Sequence, residues 1–147
     1  MLKSEQVSKD IRLPGRTKEG RPIEILLATL CLFSQQGKEE VSISEFQECI
    51  SEFQKEFSLG YNFSEHFLCS VDLLTDLRDL SQERYIRQYI YRHDALLPKR
   101  FVSLMPLGKG RGEKIVGTLS PDTAEALENA ASIAIRNYKE TWRSWAR

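Results

Sequence analysis

The chain has 147 residues, of which 41% are hydrophobic, 10% aromatic and 29% charged. That is enough apolar material for one domain whose core needs neither disulfides nor metals, and too aromatic for a disordered chain. The 21 basic and 21 acidic side chains cancel, which excludes a polycation that coats nucleic acid over its whole surface.

Residues 1–21 carry six basic against three acidic side chains, and Pro14, Gly15 and Gly20 interrupt any helix there. They read as a basic flexible arm without the apolar stretch of a secretory signal. Pro22 then opens a first helix in the favoured first-turn position. Residues 23–33 are apolar on nearly every side, which places this helix at the centre of the core. The run contains Glu24 and Thr29 and is far shorter than the about 20 apolar residues that span a bilayer, so no membrane is expected.

Residues 41–43 fit a short strand. A second helix starts with a capping box, either Ser42 with Glu45 or Ser44 with Gln47. Phe46, Cys49, Ile50, Phe53 and Phe57 follow at helical spacing, with Gly60 as the stop. Ser64 is read as the cap of a third helix over residues 64–80, carrying Phe67, Leu68, Val71, Leu74, Leu77 and Leu80. Tyr85, Ile86, Tyr89, Ile90 and Tyr91, then Phe101, Val102, Leu104 and Leu107, are strand formers, and they predict a β-hairpin with a long tip. Gly108 to Gly112 reads as a basic flexible loop, with Ile115 and Val116 as a short strand. Ser120, Pro121 and Asp122 start a last helix of about 25 residues, roughly 38 Å long.

The fold class expected is mainly α with a small β-hairpin. The order helix, short strand, helix, helix, hairpin over residues 23–107 resembles a winged helix-turn-helix. Residues 64–80 would be its recognition helix and the hairpin its wing, and the run Phe101 to Gly108 resembles the last wing strand of such proteins. More remotely, the order is similar to the small winged-helix subunits of bacterial chromosome-condensing and related defence complexes. The resemblance implies a winged-helix-like domain over residues 22–118 and a C-terminal helix over 119–147 for packing or oligomerisation. It also implies a role in binding partner proteins, DNA or both.

Charge is unevenly placed. Residues 1–22 sum to +3, 38–57 to −4, 58–80 to −3 and 81–114 to +5. Glu65, Asp72, Asp76 and Asp79 share one face of the predicted third helix, opposite its apolar stripe. A row of carboxylates there would be repelled by phosphates in a major groove, so these four residues are candidates for a protein interface. A solvated helix face explains them equally. Arg84, Arg87, Arg92, Lys99, Arg100, Lys109, Arg111 and Lys114 are candidates for non-specific contact with nucleic-acid phosphates, interleaved with Tyr85, Tyr89, Tyr91 and Phe101. A sheet with one wet face has the same composition. On the last helix Ala124, Leu127, Ala131, Ala134, Tyr138, Trp142 and Trp145 form a near-heptad seam. Leu127, Tyr138, Trp142 and Trp145 are candidates for a partner protein or self-association, unless the seam packs on the chain's own core.

Catalytic signatures are missing from the sequence. The Gly108 to Gly112 run lacks the Gly-Lys-Ser/Thr of a phosphate loop. His66 with Cys69 lacks the paired cysteines of a zinc site and is a weak nucleophile–base pair. Asp72, Asp76 and Asp79 lack a converging lysine. Cys31, Cys49 and Cys69 read as reduced apolar side chains in a cytoplasmic setting. The expectation is a non-catalytic, cofactor-free interaction subunit that docks on partner proteins, within a nucleic-acid-handling assembly. The alternative is a dimeric DNA-binding transcriptional regulator that uses its wing and arm.

Overall fold

A computed structural model describes residues 23–64, 69–91 and 99–145, with backbone alone for Tyr91 and residues 140–145. The basic arm, Glu65 and Arg92 lie outside the described residues, as do the side chains of Trp142 and Trp145. The order is α1 (Ile23–Gln35), β1 (Val41–Ser42), α2 (Ile43–Phe53), α3 (Val71–Gln82), β2 (Ile86–Tyr91), β3 (Lys99–Leu104), α4 (Pro106–Thr118) and α5 (Pro121–Trp145). The chain is thus mainly helical with a small antiparallel sheet in the order β1-β3-β2, the fold class its sequence predicts.

Helix α1 is the axis of the core. Every residue from Ile25 to Phe33 is buried, as all-round apolarity requires. Within that buried stretch the hydroxyl of Thr29 is satisfied by donating to the Ile25 carbonyl at 2.8 Å. Gly37 ends the helix with φ of 87°, a left-handed conformation that glycine adopts without steric cost. The box that starts α2 is Ser42 with Glu45. The Glu45 amide donates to Ser42 Oγ, and the Ser42 amide donates to Glu45 Oε1, both at 3.1 Å. Helix α2 ends at Phe53 rather than near Gly60. The chain then turns so that the Phe57 ring stacks on Phe53 at 4.9 Å.

The hairpin is paired from Ile86↔Leu104 to Tyr91↔Lys99, and β1 adds Val41↔Val102. Alternation sends Ile86, Val102 and Val41 into the core and Arg87, Tyr89 and Phe101 to the other face.

Two expectations fail. The third helix begins at Val71, capped by Ser70, whose Oγ accepts from the Leu73 amide. The Ser70 amide is itself held by Gln47 Oε1 at 2.6 Å, so α2 sets where α3 starts. The Ser64 amide closes a loop onto the Cys69 carbonyl at 3.0 Å. The glycine run is not a loop, and Ile115 and Val116 are not a strand. Pro106 instead opens α4, which packs on α1. Gly108 and Gly112, one turn apart, are both buried. A Cβ on Gly112 would lie 2.8 Å from the Leu27 carbonyl oxygen and 2.5 Å from Cys31 Sγ. Gly112 lets the backbones of α1 and α4 approach, Gly108 lets α4 close on the Tyr85 backbone before β2, and that packing outweighs their helix cost of about 1 kcal/mol each.

Candidate interaction surface

The acidic row of α3 is not a row. Asp76 points inward and is 2% exposed, and Tyr61 Oη donates to its Oδ2 at 2.6 Å. Asp72 is exposed and Asp79 is half-buried. The face that α3 leaves open carries Val71, Asp72 and Arg78. A face shared by Glu65, Asp72, Asp76 and Asp79 requires one continuous helix from residue 64. With the start at Val71, Leu73, Leu77 and Leu80 set the inward direction, and Asp76 lies beside them.

The basic candidates divide by environment. Arg111 is held by Glu24 through two bonds, Nε to Oε2 at 3.0 Å and Nη2 to Oε1 at 2.8 Å. Glu24 thereby keeps the guanidinium charged and takes it out of the pool open to phosphates. Arg87 lies over the Tyr89 ring at 5.0 Å, and Tyr89 stacks on Phe101 at 5.8 Å. Arg84, Arg100, Lys109 and Lys114 are exposed and Lys99 is half-buried. Arg84 holds φ of 67° in the turn between α3 and β2. The Tyr89 hydroxyl is buried beside Glu40 without a well-aligned hydrogen bond, and burial with that carboxylate pushes it up to about 12.

Helix α5 uses its seam at home. Leu127, Ala131 and Ala134 are wholly buried, with Ala130 nearly so, and the helix packs along α2 and α1. Leu127 is therefore a core residue and not an interface residue. Tyr138 is half-buried, with the Lys38 ammonium over its ring at 5.1 Å.

Cys31 and Cys49 are buried and Cys69 half-buried, all free. Among the described residues no three His, Cys, Asp or Glu side chains gather as metal ligands, and no helix is long and apolar enough to cross a membrane. What sequence reasoning missed is the exposed apolar set, Val71 at 73%, Leu107 at 59% and Ile90 at 49%. Ile90 shares the parity of Ile86, so alternation alone puts it on the core face. Only the hairpin's run beyond the core leaves it open.

The fold and these surfaces define a mainly helical α+β protein with a small antiparallel sheet. Compared with protein-family models, curated proteins and solved structures, the chain matches none of them.

Proposed function

We propose that this chain is a non-catalytic, winged-helix-like interaction subunit that docks on a partner protein through its β2–β3 hairpin. The order α1, β1, α2, α3, β2, β3 with the sheet order β1-β3-β2 supports the winged-helix reading. Docking rests on one observation: the hairpin carries open apolar surface on both faces. Ile90 is half exposed on the side that is core at Ile86, and the Tyr89–Phe101 stack is partly exposed on the other. Aromatic, arginine and aliphatic groups grouped in this way are the usual anchors of protein interfaces. The acidic row no longer contributes, because Asp76 is inside. The test is co-purification from the native cell with wild type, Ile90→Glu and Phe101→Ala. A stoichiometric protein partner retained by wild type and lost with either variant is the expected result. Equal retention by all three rejects the hairpin as the docking element.

A second reading has its own support. Arg84, Arg100, Lys109 and Lys114 are exposed, and burial of Asp76 removes one carboxylate from the face that opposed DNA. A regulator that grips phosphates through these side chains binds duplex DNA with an affinity that falls steeply with salt. No binding to duplex at low salt rejects it.

A further inference from the structure

The sheet order β1-β3-β2 has two edges. One is β1, two residues long, which ends where Ser42 turns into the cap of α2. The other is β2, six residues long. The ladder fixes which backbone groups of β2 face that edge. The Met105 amide donates to the Tyr85 carbonyl at 3.0 Å, one step before the Ile86↔Leu104 pair and in the same register. Hydrogen-bonded pairs alternate with non-bonded ones along an antiparallel ladder. The amides and carbonyls of Arg87, Tyr89 and Tyr91 therefore point to β3, and those of Ile86, Gln88 and Ile90 point away from it. Among the described residues no other backbone hydrogen bond reaches these three.

An edge of this kind is a template for another strand, and proteins usually blunt it with proline, lysine or a bulge. β2 has neither proline nor lysine, and its pairing with β3 runs without a bulge from Ile86↔Leu104 to Tyr91↔Lys99. Its one charged residue is Arg87. The strand is also complementary to itself. Laid antiparallel to a second copy about a two-fold axis at Gln88, it sets Gln88 opposite Gln88, Ile86 opposite Ile90 and Arg87 opposite Tyr89. Every outward amide on one copy then meets an outward carbonyl on the other. Arg87 faces the Tyr89 ring of the second copy in a non-bonded pair, where side chains lie closest. Ile90, 49% exposed in the single chain, comes beside Ile86 of the second copy. An axis at Arg87 instead sets like charges directly opposite, which is unfavourable, and faces groups already bonded to β3 against each other.

We propose that two copies of this chain join edge to edge through β2, in the register centred on Gln88, to form one continuous antiparallel sheet. The inference goes beyond the docking reading: it concerns the backbone edge of the hairpin rather than its faces, and it needs no other protein.

The test is sedimentation velocity of the purified full chain up to about 1 mM, the weak end of specific association. Wild type forms a dimer whose fraction rises with concentration. Gln88→Pro deletes the central outward amide, which takes no part in the β3 ladder, so the hairpin stays paired and dimerisation weakens by about tenfold or more. Gln88→Lys and Gln88→Glu each set like charges across the axis and weaken it by about fivefold. An equimolar mixture of these two chains sets opposite charges there and associates more tightly than either chain alone. Circular dichroism checks that each variant keeps the wild-type spectrum, and the mixture reads the register even where one variant is less stable. The proposal is overturned if wild type stays monomeric at the highest concentration, if Gln88→Pro dimerises like wild type, or if the mixture associates no more tightly than its components. A monomer that captures a different protein in the docking test overturns it as well.

Discussion

Tyr61 and Asp76 show how a single contact redirects a charge. The carboxylate lies among Leu73, Leu77 and Leu80, where an ionised group without partners is very costly. The hydroxyl at 2.6 Å offsets part of that cost and ties the loop after α2 to α3. Tyr61→Phe keeps the ring and removes the donor, so it should cost about 1–3 kcal/mol. Asp72→Ala on the exposed face should change stability by no more than about 0.5 kcal/mol. Urea unfolding of both variants checks the contrast, and equal effects would mean that Asp76 faces water. Cys31 provides a pH signature. Burial is the main cause that raises its thiol from 9.0 to about 11, Glu113 adds to the rise, and Lys109 opposes it. Burial pushes the Cys49 thiol up as well. The unfolded chain gives up these protons first, so the native state binds more protons above the unfolded value. Their contribution is intact below about pH 9 and is lost as pH rises toward 11. The urea midpoint should fall through that window, and Cys31→Ala should flatten part of the slope.

At the level of the element, α4 is the instructive case. Its four glycines divide by surroundings. Added Cβ atoms at Gly108 and Gly112 run into backbone, whereas those at Gly110 and Gly117 meet nothing within 4 Å. Helix propensity favours alanine at all four by roughly 0.8–1.0 kcal/mol. Gly110→Ala and Gly117→Ala should therefore raise stability by about that amount. Gly112→Ala should lower it by about 1–3 kcal/mol, because α1 must shift to admit the methyl group. Thermal melts of the three variants decide the matter, and stabilisation by Gly112→Ala would refute the close approach of α4 to α1. The same element shows why a local reading misleads: a glycine-rich basic run looks like a loop until a second helix is placed against it.

For the molecule as a whole, α5 is part of the core rather than an appendage. Leu127, Ala131 and Ala134 are wholly buried in the body formed by α1 and α2. Leu127→Ala should cost about 2–5 kcal/mol, as deletion of a buried leucine does when its cavity stays open. A chain cut after residue 118 should lose cooperative unfolding by circular dichroism. Retention of a sharp transition would show that residues 22–118 fold alone. Much of this architecture was legible beforehand because its signals are local. The apolar run of α1, the Ser42–Glu45 box, the β-forming residues of the hairpin and the Ser120–Pro121 start of α5 each act within a few residues of themselves. The start of α3, the inward turn of Asp76, the helical state of the Gly108 to Gly112 run and the home burial of Leu127 were not legible. Gln47, Tyr61, Leu27 with Cys31, and the bodies of α1 and α2 decide them from far along the chain. By itself, then, the sequence determined which stretches are helix or strand wherever period and capping agree, and it determined the segregation of charge along the chain. Only the tertiary structure decided which charges face water, since direction around a helix depends on what packs against it. It also decided which small residues are contact surfaces, since a glycine has no side chain to announce its neighbour.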